Sequence, residues 1–171
     1  MRAIGYLLRH LLAIFLLPFM VAVLVPRWIV QRSDHPVLEL PATLAGWVLA
    51  AAGGVVGAVG LILFFSCIVR FFTEGRGTLA PWDPPAALVV RGPYAHVRNP
   101  MISGVVLVLV GEALLLRSLP LAVWAAAFAA LNAVYLPFVE EPMLRARFGE
   151  SYATYCANVP RLIPRLRPWS G

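Results

Sequence analysis

The residues able to bind or react with a ligand lie in two polar stretches of this 171-residue chain, Phe71 to Pro100 and the tail from Glu140 onward. The first contains GTLAPWDPPAALVVRGPYAHVRNPMISG. Pro81, Pro84, Pro85, Pro93 and Pro100 restrict its backbone and Gly75, Gly77 and Gly92 supply turns, so it is built to hold one irregular shape. Such a loop serves either as a stiff connector or as a cradle for a ligand. His96 within it is a candidate base, because an imidazole exchanges its proton near neutral pH; a lone loop His is more often a surface residue. Arg98 is able to pair with a carboxylate or a phosphate, or to snorkel at an interface. The second stretch begins FVEEPMLRARFGESYATYC. Its adjacent Glu140 and Glu141 either cap a helix N-terminus or bind a cationic group. Cys67 and Cys156 read as packing residues, being too few for a disulfide framework or a four-ligand metal site, and no metal is expected.

The elements that hold these stretches are dictated by composition. The chain is 61% hydrophobic and 13% charged, with a mean hydropathy of +0.82, which excludes an ordinary soluble domain and a disordered one. All 14 basic residues are Arg, and the absence of Lys suggests a GC-rich bacterial source. The net charge of +6 does not indicate nucleic acid, since the Arg residues flank apolar segments as they do in proteins facing anionic lipid.

Four apolar stretches predict membrane spans at about 11–30, 43–69, 101–116 and 119–139, because a helix needs about 20 residues to cross a bilayer. Pro18, Phe19, Met20 and Trp28 in the first fit a retained helix better than a cleaved signal peptide. In the second, Gly46, Ala50, Gly53, Gly54 and Gly57 recur at spacings of three and four, which lets another helix of the same bundle come close. The third and fourth, divided only by Arg117 and Ser118, form a helical hairpin. Glu112 in the third should lie level with Trp124, whose indole is placed to donate to it, in a structural or catalytic role. Leu144, Phe148, Tyr152 and Tyr155 predict an amphipathic surface helix in the tail. Eleven Arg residues fall on the side of the two termini and the middle loop, against Arg27, Arg32 and Arg117 on the other, so the positive-inside rule makes both termini cytoplasmic. The expected fold is an all-α integral membrane protein of the bacterial inner membrane: four transmembrane helices, a rigid Pro/Gly-rich cytoplasmic loop and a C-terminal amphipathic helix, in one membrane domain over 1–171.

The pattern LVVRGPYAHVRNPMISG, followed about forty residues later by EEPMLRARFGESYATYCANVPRLIP, resembles the isoprenylcysteine carboxyl methyltransferase family and its bacterial relatives, which share features with phospholipid methyltransferases. The resemblance spans about 75–164, and its specificity comes from GPY, R-x-P, EE-x-x-L and FG-x-x-Y in that order. It implies a membrane methyltransferase that binds S-adenosylmethionine at the cytoplasmic surface. The cofactor-contacting positions carried over are Ala86, Ala87, Leu88 and Val89, then Tyr94, then Asn99, Pro100, Met101 and Ile102, with Glu140 from the later motif. Physically, Leu88, Val89 and Tyr94 offer apolar surface and backbone groups to the adenosine. Glu140 is suited to accept from the methionine ammonium, and Arg98 to pair with its carboxylate.

The chain also departs from that family. Its eukaryotic members commonly have His where Asn99 and Ala86 stand, Tyr at Ile102, and, one helical turn before the acidic pair, an Arg linked to the prenylcysteine substrate where this chain has Leu136. The changes at Asn99, Ala86 and Ile102 make the cofactor contacts different in detail, and Leu136 in place of Arg argues against a prenylcysteine acceptor. The expected activity is methyl transfer to a lipid-like or amphipathic acceptor entering from the bilayer. The competing readings are a non-catalytic scaffold or cofactor sensor, and a sterol-type reductase using NADPH.

Overall fold

A computed structural model of the protein describes residues 15–33, 40–75 and 87–170, and every described element is helical. A π-helical segment, Phe15–Leu24, continues into α1, Val25–Arg32. Pro18 lies inside the first of these, where the missing N–H and the bulk of the ring are compatible with wider turns. The beginning of the expected first span, 11–14, lies outside the described residues.

Helix α2, Leu44–Arg70, starts where the Thr43 hydroxyl accepts from the Gly46 amide at 3.1 Å, and it carries no charge before Arg70. Its 27 residues give a length of about 40 Å, more than a bilayer core requires. The helix runs on through a π-helical segment, Phe71–Gly75, where Arg70 pairs with Glu74 at 2.6 Å.

Helix α3, Pro100–Leu115, opens on a proline, whose absent N–H costs nothing in the first turn. Its 16 residues extend about 24 Å, short of the roughly 30 Å of hydrocarbon. Helix α4, Leu119–Tyr135, follows directly, with Ser118 at its N-cap, so the expected hairpin forms. Beyond it the chain stays helical through a π-helical segment, Leu136–Glu140, whose widening accompanies Pro137, and enters α5, Glu141–Phe148.

Two helical runs, Leu44–Arg70 and Leu119–Phe148, are long and apolar enough to cross a membrane, and the uncharged part of the second ends at Val139. Only 17% and 22% of their most apolar windows are buried in the protein, unlike core helices of a soluble domain. Val55, Leu61, Ile62 and Phe65 of α2, and Val123, Leu131 and Val134 of α4, point outward. Such apolar faces are stable in lipid and not in water.

Gly53, Gly57 and Gly60 of α2 serve the bundle itself, whereas Gly46 faces Pro41 at the start of the helix. A Cβ on Gly53 would stand 2.5 Å from the Leu115 amide nitrogen, and one on Gly60 would stand 2.7 Å from the Gly104 carbonyl oxygen. From the other side, a Cβ on Gly111 would come within 2.6 Å of the Gly57 backbone. Helices α2 and α3 therefore touch backbone to backbone at Gly53, Gly57 and Gly60 of α2. Gly54 does not take part; its added Cβ would meet nothing within 4 Å. Alongside this seam Phe64, Ile68, Val105, Leu109 and Ala125 form the apolar core.

Two expectations are corrected. The Trp124 indole donates to the Val21 carbonyl at 3.1 Å and not to Glu112, whose Oε2 is buried without a hydrogen-bond partner. The tail does not form one amphipathic helix, because Gly149, at φ 56°, separates α5 from α6, Glu150–Asn158. Tyr152 and Tyr155 of α6 are buried with Val159 against Leu88, Val90 and Trp169, so the apolar face of the helix covers the loop and not lipid.

Candidate functional site

The part of the middle loop at 76–86, including Ala86, lies outside the described residues. From Ala87 the chain has no regular secondary structure, and its successive side chains join two different apolar clusters. Val89 enters a buried cluster with Cys67 and Tyr94, while Leu88 and Val90 pack with Tyr152 and Tyr155. Ala87 is exposed. Gly92 then turns at φ 61°, under the Arg70 guanidinium: a Cβ there would come within 2.8 Å of Arg70 Nε. The turn Gly92–Ala95 leads to Tyr94, which stacks edge-on with Phe71 at 5.7 Å. Burial, with added effects of Cys67, Tyr155 and Glu140, pushes the Tyr94 hydroxyl well above its ordinary pKa, so the phenol stays neutral.

The C-terminal tail fixes this loop. Tyr155 donates its hydroxyl to the Tyr94 carbonyl at 2.8 Å in a buried hydrogen bond. The Arg98 amide donates to the Pro160 carbonyl, the Arg165 amide to His96, and the Trp169 amide to Ala95, at 2.9, 2.9 and 3.0 Å. His96 Nδ1 lies 2.8 Å from the Arg165 carbonyl. A carbonyl only accepts, so Nδ1 carries the proton and Nε2 of the neutral ring keeps its lone pair.

The charged residues form a second tie. Glu141 Oε1 lies 3.1 Å from Arg98 and 2.6 Å from Arg161, and Glu141 Oε2 accepts from Arg161 at 2.9 Å. Arg98 also reaches the Cys156 sulfur at 3.0 Å, while its Nε is buried without a partner. Burial alone would raise the Glu141 carboxyl, but the hydrogen bonds and charges of Arg161 and Arg98 hold it below the usual range. Glu140 receives no hydrogen bond or ion pair from the described residues. Burial and the neighbouring Glu141 charge push its carboxyl above the ordinary value. An acid of this kind is suited to a cationic ligand group, which would restore its charge.

A cavity of about 1030 Å³ opens between the loop, α2, α3, α4 and the tail. Its wall includes His96, Asn99, Ile102, Asn132, Leu136 and Leu162. The volume is at the upper limit of the roughly 300–1,000 Å³ usual for small-molecule sites, enough for a ligand and part of a second. The wall is mostly apolar. Its polar groups are His96, Ser103, Asn132, whose Nδ2 donates to the Phe128 carbonyl at 2.8 Å, and Asn99, whose Nδ2 is buried and unpartnered. A buried amide donor without a partner is costly unless a ligand supplies an acceptor. This amide suits a ligand with a polar acceptor atom, and unpaired Glu140, outside the cavity wall, suits a cationic group.

The residues expected at the site thus divide. Asn99 and Ile102 line the cavity, as does the candidate base His96. Tyr94 and Glu140 are near enough for the acid's charge to act on the phenol, but neither is part of the cavity wall, and Arg98 is committed to Glu141. Pro100 and Val89 are buried in packing, and Met101 packs against the cores beside Phe64 and Tyr94. The sequence reading overlooked Asn132 and the tail residues Leu162, Pro164 and Pro168. Asn132 had a signal, as the one amide in an apolar span; the tail residues had none beyond their prolines.

The fold and cavity define a membrane protein with a ligand site where the helices meet a polar loop. The chain belongs to the phospholipid methyltransferase family, whose model matches residues 48–151, from the second turn of α2 to the start of α6. It is therefore a membrane methyltransferase that uses S-adenosylmethionine, with a lipid as the acceptor class. No curated protein and no solved structure matches the chain.

Proposed function

We propose that the protein methylates the polar head of an amphipathic, long-tailed acceptor at the cytoplasmic face of a bacterial inner membrane, as a single domain of four spans with both termini cytoplasmic. The observation that carries this reading is the cavity beside Asn99 and Ile102, which combines apolar walls from α3 and α4 with a polar end at the loop. S-adenosylmethionine, when bound, supplies an electrophilic methyl group for in-line displacement. The chain's part is chiefly to position the reactants and exclude water. Glu140 accepts from the cofactor ammonium, Tyr94 and the backbone of Leu88 and Val89 flank the nucleoside, and Asn99 donates to an acceptor atom. Val106, Leu107, Ala129 and Ala133 receive the acceptor's tail.

His96 is the proposed base. Its Nδ1 is held by the Arg165 carbonyl, leaving Nε2 to take a proton from a hydroxyl or ammonium acceptor. Leu136, in the cavity wall where related enzymes place Arg, leaves no cation for an anionic head and disfavours the isoprenylcysteine type of acceptor.

Each buried methylene of an acceptor contributes about 0.8 kcal/mol, so six would supply roughly 5 kcal/mol of binding. Radiolabelled methyl transfer by purified protein should rise steeply with acceptor chain length, and Leu136→Arg should shift preference toward carboxylate heads. Equal turnover of short soluble and long-tailed acceptors would overturn this reading.

A further inference from the structure

The last stretch of the described chain, 159–169, lies across the loop and forms part of the cavity wall through Leu162, Pro164 and Pro168. Its outer side is apolar and cationic. Leu162, Ile163 and Leu166 are 57%, 81% and 97% exposed, and Arg165 and Arg167 alternate with them. Among the described residues neither of these two arginines has an ion-pair partner; the Arg165 guanidinium donates to the Asn158 carbonyl. Arg91 is exposed in the loop on which the strap rests, and Arg145 and Arg147 are exposed on α5.

We propose that this C-terminal strap is a docking surface for an anionic lipid bilayer, and that its seating there holds the loop at 95–98 and the cavity behind it in their ordered arrangement. Charge complementarity selects the occupant. A run of Leu and Ile interleaved with unpaired Arg suits an interface where apolar side chains enter the headgroup boundary and guanidinium groups meet phosphates. The strap is also at the correct end of the molecule, crossing the loop that leads into α3 and sharing the cavity wall with Leu136, just past the end of α4.

The consequence for the site follows from the hydrogen bonds. The amides of Arg98, Arg165 and Trp169 and the ring of His96 join strap to loop, so holding the strap also holds the backbone on either side of His96. In water the exposed leucines add nothing to these hydrogen bonds and to the Arg161–Glu141 pair, which alone hold the strap in place. On an anionic surface, opening would require withdrawing them from the interface together with the charges.

The proposal rests on the reading of the chain as a membrane protein and does not depend on the cofactor. Hydrogen exchange of the full chain in nanodiscs tests it, comparing phosphatidylcholine alone with an equal mixture of phosphatidylcholine and phosphatidylglycerol. Amides at 159–169 and 94–98 should exchange about tenfold more slowly in the anionic discs, and the double variant Leu166→Asp, Arg167→Glu should lose that difference. Both substituted side chains are exposed and outside the cavity wall, so the fold is preserved, as unchanged protection in α2 and α3 would verify. Equal exchange in the two lipids would overturn the proposal, as would a lipid effect that survives the double substitution. Protection that follows protein concentration and not lipid charge would assign the surface to a second copy of the chain. Failure of S-adenosylmethionine to bind would leave the exchange result intact, so the two readings fail separately.

Discussion

Tyr155 and Tyr94, 61 positions apart, are joined by a buried hydrogen bond of 2.8 Å from the hydroxyl of one to the carbonyl of the other. The bond connects α6 to the turn containing the GPY motif, and the two rings belong to different apolar clusters. Tyr155→Phe keeps the ring and leaves the buried carbonyl without a donor. The expected cost is about 1–3 kcal/mol of stability. Thermal unfolding in detergent should show a lower midpoint, and cofactor affinity should fall because the loop backbone loosens. An unchanged midpoint would mean that water replaces the phenol.

Glu141 gives the tie between Arg98 and Arg161 a pH dependence. Its folded-state pKa is depressed, so its contribution is fully present above the unfolded value of about 4.3 and is lost as pH falls through the folded value. Unfolding midpoints of wild type and Glu141→Gln should differ at pH 7 and converge only once the pH has fallen below the depressed folded value. A difference that persists after carboxylate protonation would show that the ion pairs are not its cause.

The glycine seam predicts opposite outcomes for neighbouring positions. Gly111→Ala forces a Cβ into the Gly57 backbone, which cannot move aside as a flexible side chain would, and overpacking of this kind costs about 1–3 kcal/mol. Gly54→Ala meets open space and should leave the midpoint unchanged or raise it. Equal effects of the two substitutions in thermal unfolding would contradict the seam.

What was legible in the sequence follows from how local each signal is. The uncharged run from Leu44 to Val69 announced a span, and Arg117-Ser118 between two apolar runs announced a hairpin, because both depend on neighbours in the chain. The spacing of Gly53 and Gly57 showed a face for close approach but not its partner, and Gly60, Gly104 and Gly111 complete it only once α3 is in place. Apolar periodicity continues on both sides of Gly149, so only its positive φ reveals the break between α5 and α6. Pairings across 58 to 69 positions, such as Arg98 with Cys156 and His96 with Arg165, have no local signature. For the same reason the cavity wall from the tail could not be read in advance.

The proposed topology follows from arginine placement. Single cysteines introduced at Ser33 and Ser118 should react with an impermeant maleimide added to intact spheroplasts, and one at Ser170 should be protected. Reaction at Ser170 with protection of the other two would reverse the orientation and place the cavity on the outer face.

The central claim is that this chain binds S-adenosylmethionine through Glu140, and calorimetric titration in detergent tests it most directly. Removing one partner of a desolvated, charge-assisted pair commonly costs about 2–5 kcal/mol. Glu140→Gln should therefore weaken binding by about 30-fold or more while NADPH produces no heat with either protein. Equal affinity of wild type and a folded Glu140→Gln would remove Glu140 from the site, and binding of NADPH in place of S-adenosylmethionine would contradict the account as a whole.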